Sequence, residues 1–217
     1  MLTRLLKKIH FIEYTVVEPS AQRMSSFKAR VKERKDVLNR VTFIWREETL
    51  QDFCTAIVNG QGKFHFVSAI HSLYYITKQD FDKYLGVITG RTEGKILIVN
   101  SAEAHCIYQM QKHFPSAAHE LRPAVTAEDL TDYLKKLGIS FKTTDLTACE
   151  CDVTDCFDEQ SSTGKHLLDF LLQVVGCRDN GPPELLKMIT DFLSGMSYRK
   201  NGRLYAFTAA KVVLVSV

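Results

Sequence analysis

The chain has 217 residues, of which 45% are hydrophobic and 24% charged, and its formal net charge at pH 7 is +3. This length can bury one sizeable α/β core, and the small, sign-mixed charge argues against nucleic acid or an anionic membrane as the partner. The sequence has no apolar run of the ~18 residues that a membrane span needs, and its six cysteines are scattered, as is typical of free thiols in a reducing cytosol. We therefore expect a cytoplasmic protein with a single domain over residues 1–217.

The predicted elements alternate between helices and strands from the start of the chain. Apolar residues at helical spacing predict a helix over residues 2–9, and β-forming side chains predict a strand over about 11–17. The next segments predict, in order, a helix at 21–37, a strand at 41–45, a helix at 50–58, a strand at 63–70, a helix at 78–89 and a strand at 95–100.

The second half of the chain is richer in helices before it returns to β-structure. One predicted helix begins at Thr126, where Asp129 is placed for a capping box, and it stops at Gly138. The other predictions are a helix at 103–114, a strand at 140–153, helices at 165–175 and 182–193, and a β tail at 202–217. This order is typical of an α/β fold with a mostly parallel sheet, in which ligands bind beyond the carboxyl ends of the strands.

A carboxylate stands where the first predicted strand gives way to a helix. In the stretch "EYTVVEPSAQRM", Glu18 directly follows the β-formers and precedes Pro19. A carboxylate at the tip of a strand can accept a hydrogen bond from each hydroxyl of a ribose. The alternative is that Glu18 is only an acid favoured by the dipole of the following helix, and the pattern alone leaves both interpretations open.

A histidine and two tyrosines follow the strand that ends at Ile70. His71 is expected on the ligand side of the sheet, either facing a ligand or exposed in a loop. Tyr74 and Tyr75 either line a pocket or pack against the next helix.

The cysteines do not predict a metal site. Cys149, Cys151 and Cys156 lie in "CECDVTDC", which lacks the paired C-x2-C spacing that zinc prefers. We therefore expect packed or exposed thiols and no metal. Cys106 and His113 share a helix face but lie two turns apart, too far for a nucleophile and its base.

An ordered series of short motifs resembles the histamine N-methyltransferase family. These motifs are "VVEPSAQRM", "FIWREET", "SLYYI", "ITKQDF", "DVTDCF", "GKHLLDFLL", "GPPELL" and "GRLYAFTAAKVVLVSV". The resemblance covers nearly everything from Tyr14 to Val217. It implies a Rossmann-like class I methyltransferase sheet that binds S-adenosylmethionine and passes its methyl group to a small amine such as histamine. Such a transfer needs no covalent nucleophile, so we expect no catalytic residue of that kind.

The resemblance also assigns residues to the two ligands. It implies cofactor-binding roles for Glu18, Arg23, Leu50 and Ile70. It implies substrate-binding roles for His71, Tyr74, Tyr75, Phe170 and Thr208. Several positions depart from the family: Arg23 replaces a glutamine, Leu50 a serine, His71 a glutamine and Thr208 an asparagine. The single tryptophan, Trp45, does not lie on the helix after "KILIVN", where the family has tryptophans.

The resemblance further implies that a strand and a glycine-rich turn precede the ribose-binding acid. Only 17 residues precede Glu18, and none is glycine, so we expect the sheet to lack that first strand and turn. The flanking strands would then close up, another chain would fill the gap, or the sequence is incomplete. Two functions follow: an N-methyltransferase that is monomeric like its family, or a catalytically inactive methyltransferase-like binding or regulatory protein.

Overall fold

The computed structural model describes residues 10–60, 62–73, 76, 78–114 and 125–217, without the side chains of 78, 79 and 147–149. The chain divides into two compact units, Met1–Gly62 and Lys63–Val217. The helix predicted over residues 2–9 lies outside the described residues.

Unit 1 is a small parallel α/β element. Its elements are β1 (Ile12–Val17), α1 (Ala21–Glu33), β2 (Val41–Arg46) and α2 (Leu50–Ile57). β1 pairs with β2 in parallel along its whole length. Helix α1 ends at Glu33, whereas the sequence predicted Val37. The reason is that residues 32–36, "KERKD", carry no apolar side chain that could hold another turn against the sheet.

Aromatic side chains join α1 to the sheet in unit 1. Phe43 and Trp45 lie two residues apart on β2, so their side chains share one face, and their rings stack with centroids 5.0 Å apart. Phe27 of α1 meets Trp45 edge-on at 5.6 Å. Met24, one turn earlier on α1, is buried as well. This packing holds α1 against the sheet of unit 1.

Unit 2 contains a five-stranded sheet. Its strands are β3 (Phe64–Ile70), β4 (Thr92–Ser101), β5 (Phe141–Asp152), β6 (Ser197–Lys200) and β7 (Arg203–Ser216). The order is β3-β4-β7-β5, with β6 also beside β7. β3 pairs with β4 in parallel, and β7 runs antiparallel to β4, β5 and β6. Four of the five strands therefore share one direction, as the prediction of a mostly parallel sheet requires.

A hairpin and an early strand start in the sheet were not recognised in the sequence. β6 and β7 form a hairpin in which Asn201 and Gly202 have φ of 50° and 78°, and an Asn-Gly pair is a common signal for such a turn. β4 begins at Thr92, three residues before its prediction. Gly94 lets it start early, because a Cβ at that position would lie 2.4 Å from the carbonyl oxygen of His65.

Six helices and a 3-10 turn surround the sheet of unit 2 in the described residues. The helices are α3 (Lys78–Gly90), α4 (Cys106–His113), α5 (Ala127–Lys136), α6 (Ser162–Leu172), α7 (Cys177–Asn180) and α8 (Pro183–Gly195), and the 3-10 turn is Thr154–Phe157. The predicted capping box at Thr126 and Asp129 is present, and Gly138 has the expected positive φ of 67°. The short α7 and the 3-10 turn were not predicted.

Two helix starts differ from their predictions because of their caps. α4 begins at Cys106 and not at residue 103, since His105 is the residue that caps it. α6 begins at Ser162 and not at residue 165, since the Ser161 hydroxyl accepts a hydrogen bond from the Gly164 N–H at 3.1 Å.

A hydrophobic core of unit 2 lies among α4, α6, α8 and the sheet. Its fully buried side chains include Met110, Leu168, Leu171, Ile189 and Leu193. They repeat at helical spacing on their helices, so each helix turns one apolar stripe inward. Nowhere in the part of the chain that the structure describes does a helix have the length and apolar character to cross a membrane.

Candidate functional site

Glu18 stands at the carboxyl end of β1, as the sequence predicted. Its backbone N–H donates to the carbonyl of Arg46 on β2 at 3.1 Å, which fixes the strand end. Its side chain is half-buried, and Oε1 accepts a hydrogen bond from the Ser20 N–H at 2.9 Å. A carboxylate can accept about four hydrogen bonds, so Glu18 is oriented by one bond and keeps the capacity to accept a diol.

Arg23 and Leu50 begin the two helices of the same unit. Arg23 lies in the first turn of α1, exposed, and its N–H donates to the Ser20 hydroxyl at 3.3 Å. Leu50 is the first residue of α2, after the cap residue Thr49, and is half-buried. Both residues therefore follow the carboxyl ends of parallel strands, but Leu50 offers no polar side-chain atom.

In unit 2, Ile70 and His71 occupy the carboxyl end of β3. Ile70 is 54% exposed although it ends an apolar strand. His71 has a φ of 50°, in the left-handed region, and its N–H donates to the carbonyl of Val99 on β4 at 2.8 Å. A left-handed non-glycine residue is uncommon and often marks a functional position. The turn thus places an imidazole at the edge where α/β folds bind ligands.

A second histidine, His105, lies near His71 and was not singled out in the sequence. It is 8% exposed and precedes α4, where its Nδ1 accepts a hydrogen bond from the Ile107 N–H at 3.2 Å. Burial, with a further contribution from the positive charge of His71, lowers the pKa of His105 below 6.5. Its position in the sequence could have identified it as a candidate, because His105 comes after β4 as His71 comes after β3.

Thr208 comes to the same edge from β7. It is half-buried and pairs across the ladder with Cys149. Its neighbour Ala209 accepts a hydrogen bond at its carbonyl from the Ala102 N–H at 3.0 Å, and the Ala102 carbonyl accepts one from the His105 N–H, also at 3.0 Å. Backbone hydrogen bonds therefore connect the segment of Thr208 to that of His105.

The remaining aromatic candidates are not brought into this group by the described contacts. Phe170 is 55% exposed on α6, although its neighbours Leu168 and Leu171 are buried. It therefore presents a solvent-facing ring. Tyr74 and Tyr75 lie outside the described residues.

The cysteines form part of the apolar core. Cys106 and Cys156 are buried, and Cys151 packs against them, half-buried. Burial raises the pKa of Cys106 and of Cys156 to about 12, with a smaller contribution from Cys151. Among the residues that the structure describes, no group of three or more histidine, cysteine or acidic side chains is arranged to hold a metal ion.

A surface cavity of about 290 Å³ lies elsewhere in unit 2, between α3 and α5. Its lining residues are Phe81, Asp82, Val125, Asp129, Asp132, Tyr133 and Lys136. None of the residues predicted to bind a ligand lines it. The cavity therefore gives no support to the predicted site.

Comparison with known proteins gives sequence relatives and structural neighbours. No protein-family model matches the chain. It is 30% identical over 217 residues to histamine N-methyltransferase A of Xenopus laevis, covering 94% of this chain and 71% of that protein. The histamine N-methyltransferase of Bos taurus is 28% identical over 218 residues, covering 95% and 72%.

Solved structures share the fold at low sequence identity. The YcgJ protein from Bacillus subtilis matches with a TM-score of 0.56 and 8% identity, covering 99% of this chain and 96% of that chain. A SAM-dependent methyltransferase from Archaeoglobus fulgidus matches with a TM-score of 0.50 and 11% identity, covering 99% and 91%. These likenesses confirm the predicted Rossmann-like α/β fold.

Proposed function

Because this chain belongs to the histamine N-methyltransferase family, we propose that it transfers a methyl group from S-adenosylmethionine to a small amine such as histamine. The observation that carries the proposal is Glu18, a strand-tip carboxylate fixed by Ser20 and able to accept further hydrogen bonds. We also propose that residues 1–217 act as one cytoplasmic methyltransferase-like domain, monomeric as the resemblance implies.

The residues of this chain fit the cofactor in part. Glu18 would hold the two ribose hydroxyls. Arg23 adds a cationic side chain near the start of α1. Leu50 departs from the pattern, because an apolar side chain cannot donate or accept a hydrogen bond. When bound, S-adenosylmethionine supplies a methyl group that is activated by its positively charged sulfur.

The acceptor side needs only to position a neutral amine and exclude water. His71 and Thr208 supply polar atoms, whereas the described contacts do not bring the exposed ring of Phe170 to them. His71 is the residue that we expect to contact the amine, because it follows β3 in a left-handed conformation. Unchanged turnover in His71→Ala would exclude that role.

A non-catalytic relative is the second candidate. Leu50 favours it, since this apolar residue stands at the start of α2, where the resemblance implies a serine. Such a protein would keep the fold and bind a ligand or partner without methyl transfer.

Titration of S-adenosylhomocysteine into the folded chain, followed by calorimetry, tests the proposal. We expect saturable binding that Glu18→Gln weakens about tenfold, as the loss of hydrogen bonds to a charged acceptor predicts. Glu13→Gln is the matched control, because Glu13 is exposed on the same strand, and it should bind as the wild type does. If a folded wild-type chain does not bind S-adenosylhomocysteine, methyltransferase activity is excluded and the non-catalytic function is favoured.

A further inference from the structure

His105 is held at the ligand edge of unit 2 by three neighbouring elements. Its backbone is bonded to Ala102, which is bonded to Ala209 of β7. Its ring caps α4 through Ile107. His71 ends the neighbouring strand β3, and its backbone N–H donates to the carbonyl of Val99 on β4, the strand that leads to His105. His105 is therefore a nearly buried, oriented imidazole beside a residue that we expect to contact the amine.

The cap determines which ring nitrogen carries the proton. Because Nδ1 accepts a hydrogen bond from the Ile107 N–H, it presents a lone pair and carries no hydrogen. In the neutral ring the hydrogen then lies on Nε2. Protonation of Nδ1 would set two N–H groups against each other, so this tautomer is maintained. His105 thus offers one fixed donor, Nε2–H.

We propose that His105 is a further acceptor-binding residue, whose Nε2–H donates a hydrogen bond to a lone-pair atom on the ring of the amine substrate. This inference rests on the proposed function. A fixed donor favours a ring nitrogen that carries a lone pair and disfavours a plain hydrocarbon ring, because the donor would then be left unpaired. His105 therefore selects heteroaromatic amines over phenyl amines of similar shape.

Two amines and two variants separate this role from helix capping. Histamine and phenethylamine share an ethylamine arm, but only histamine has ring nitrogens. In His105→Asn the amide oxygen replaces Nδ1 as the cap, and asparagine is a favoured cap residue, but the distal donor is lost. In His105→Gln the amide nitrogen reaches the place of Nε2, but the cap is lost.

Binding of both amines to the full-length chain is measured by calorimetry, with and without S-adenosylhomocysteine. We expect the wild type to prefer histamine by about tenfold, the loss that one unpaired donor predicts. His105→Asn should bind both amines about equally while its urea midpoint at neutral pH and its affinity for S-adenosylhomocysteine stay unchanged. His105→Gln should retain more of the preference than His105→Asn, although its stability falls.

The outcomes distinguish this inference from the function on which it rests. An equal preference for histamine in the wild type and His105→Asn overturns the role of His105, as does a folded wild type that binds neither amine. A wild type that prefers histamine through His105 but does not bind S-adenosylhomocysteine overturns the methyltransferase and supports the amine site.

Discussion

Replacing Gly164 by alanine should destabilise unit 2, although the residue lies in a helix. Gly164 is buried in the first turn of α6, where the helix crosses the 3-10 turn. A Cβ at this position would lie 1.7 Å from the carbonyl oxygen of Asp155, and side-chain carbons do not approach backbone oxygens so closely. The helix and the turn would have to separate by more than 1 Å.

The turn cannot withdraw without loss of its own hydrogen bonds. The Val153 N–H donates to the Leu204 carbonyl at 2.9 Å, and the Thr154 hydroxyl accepts one from the Leu204 N–H at 2.8 Å. Overpacking of a rigid core costs about 3 kcal/mol, and alanine regains about 1 kcal/mol of helix propensity. We therefore expect Gly164→Ala to lower the free energy of unfolding by about 2 kcal/mol.

Urea unfolding followed by far-ultraviolet circular dichroism measures this loss. The matched control is Gly195→Ala, at the end of α8, where an added Cβ meets no atom within 4 Å. That variant should be as stable as the wild type or up to about 1 kcal/mol more stable. A Gly164→Ala protein with the wild-type midpoint would refute the reasoning, because it would mean that α6 moves away from the turn at no cost.

Three further predictions concern ionisable groups. Because the pKa of His105 is lowered in the folded state, the unfolded chain binds this proton more readily. The free energy of unfolding therefore decreases as pH falls below about 6.5, by at most about 1.4 kcal/mol per pH unit. Urea midpoints should fall more steeply with acid in the wild type than in His105→Asn, and equal slopes would contradict this. A hydrogen bond to Glu150 raises the pKa of Tyr198 to about 12, and NMR titration should find this pKa lower in Glu150→Gln, because the amide carries no negative charge; an unchanged pKa would contradict this. Cys106 and Cys156 have pKa values of about 12 because of burial, so iodoacetamide should label them only after unfolding; peptide mapping that finds either labelled in the folded chain would disprove that burial protects it.

Local signals in the sequence were sufficient where one short segment determines the structure. The capping box of Thr126 with Asp129 and the positive φ at Gly138 were predicted because their causes lie within a few residues. The position of Glu18 at a strand end was predicted for the same reason: the strand, the acid and the helix are contiguous. The resemblance to known proteins predicted the family, but it did not predict the contacts that each residue makes.

Other features depend on contacts between residues that are distant in the sequence, and local sequence patterns do not indicate such contacts. The early start of β4 requires the close approach of Gly94 to β3. His105 was predicted to lie inside a helix over residues 103–114, and a residue inside a helix would not present its ring as a cap. Its proximity to His71 depends on the pairing of β3 with β4 and on the bond from Ala102 to β7. Neither can be predicted from local spacing.

The aromatic group of unit 1 provides an intrinsic spectroscopic probe. Trp45 is the single tryptophan of the chain, and its indole is stacked on Phe43 beside Phe27, with the Lys28 ammonium 5.6 Å from its ring centre. Selective excitation of tryptophan therefore reports on Met1–Gly62 alone, whereas circular dichroism averages over both units. Comparing the two signals during denaturation measures the cooperativity of the whole chain without any added label.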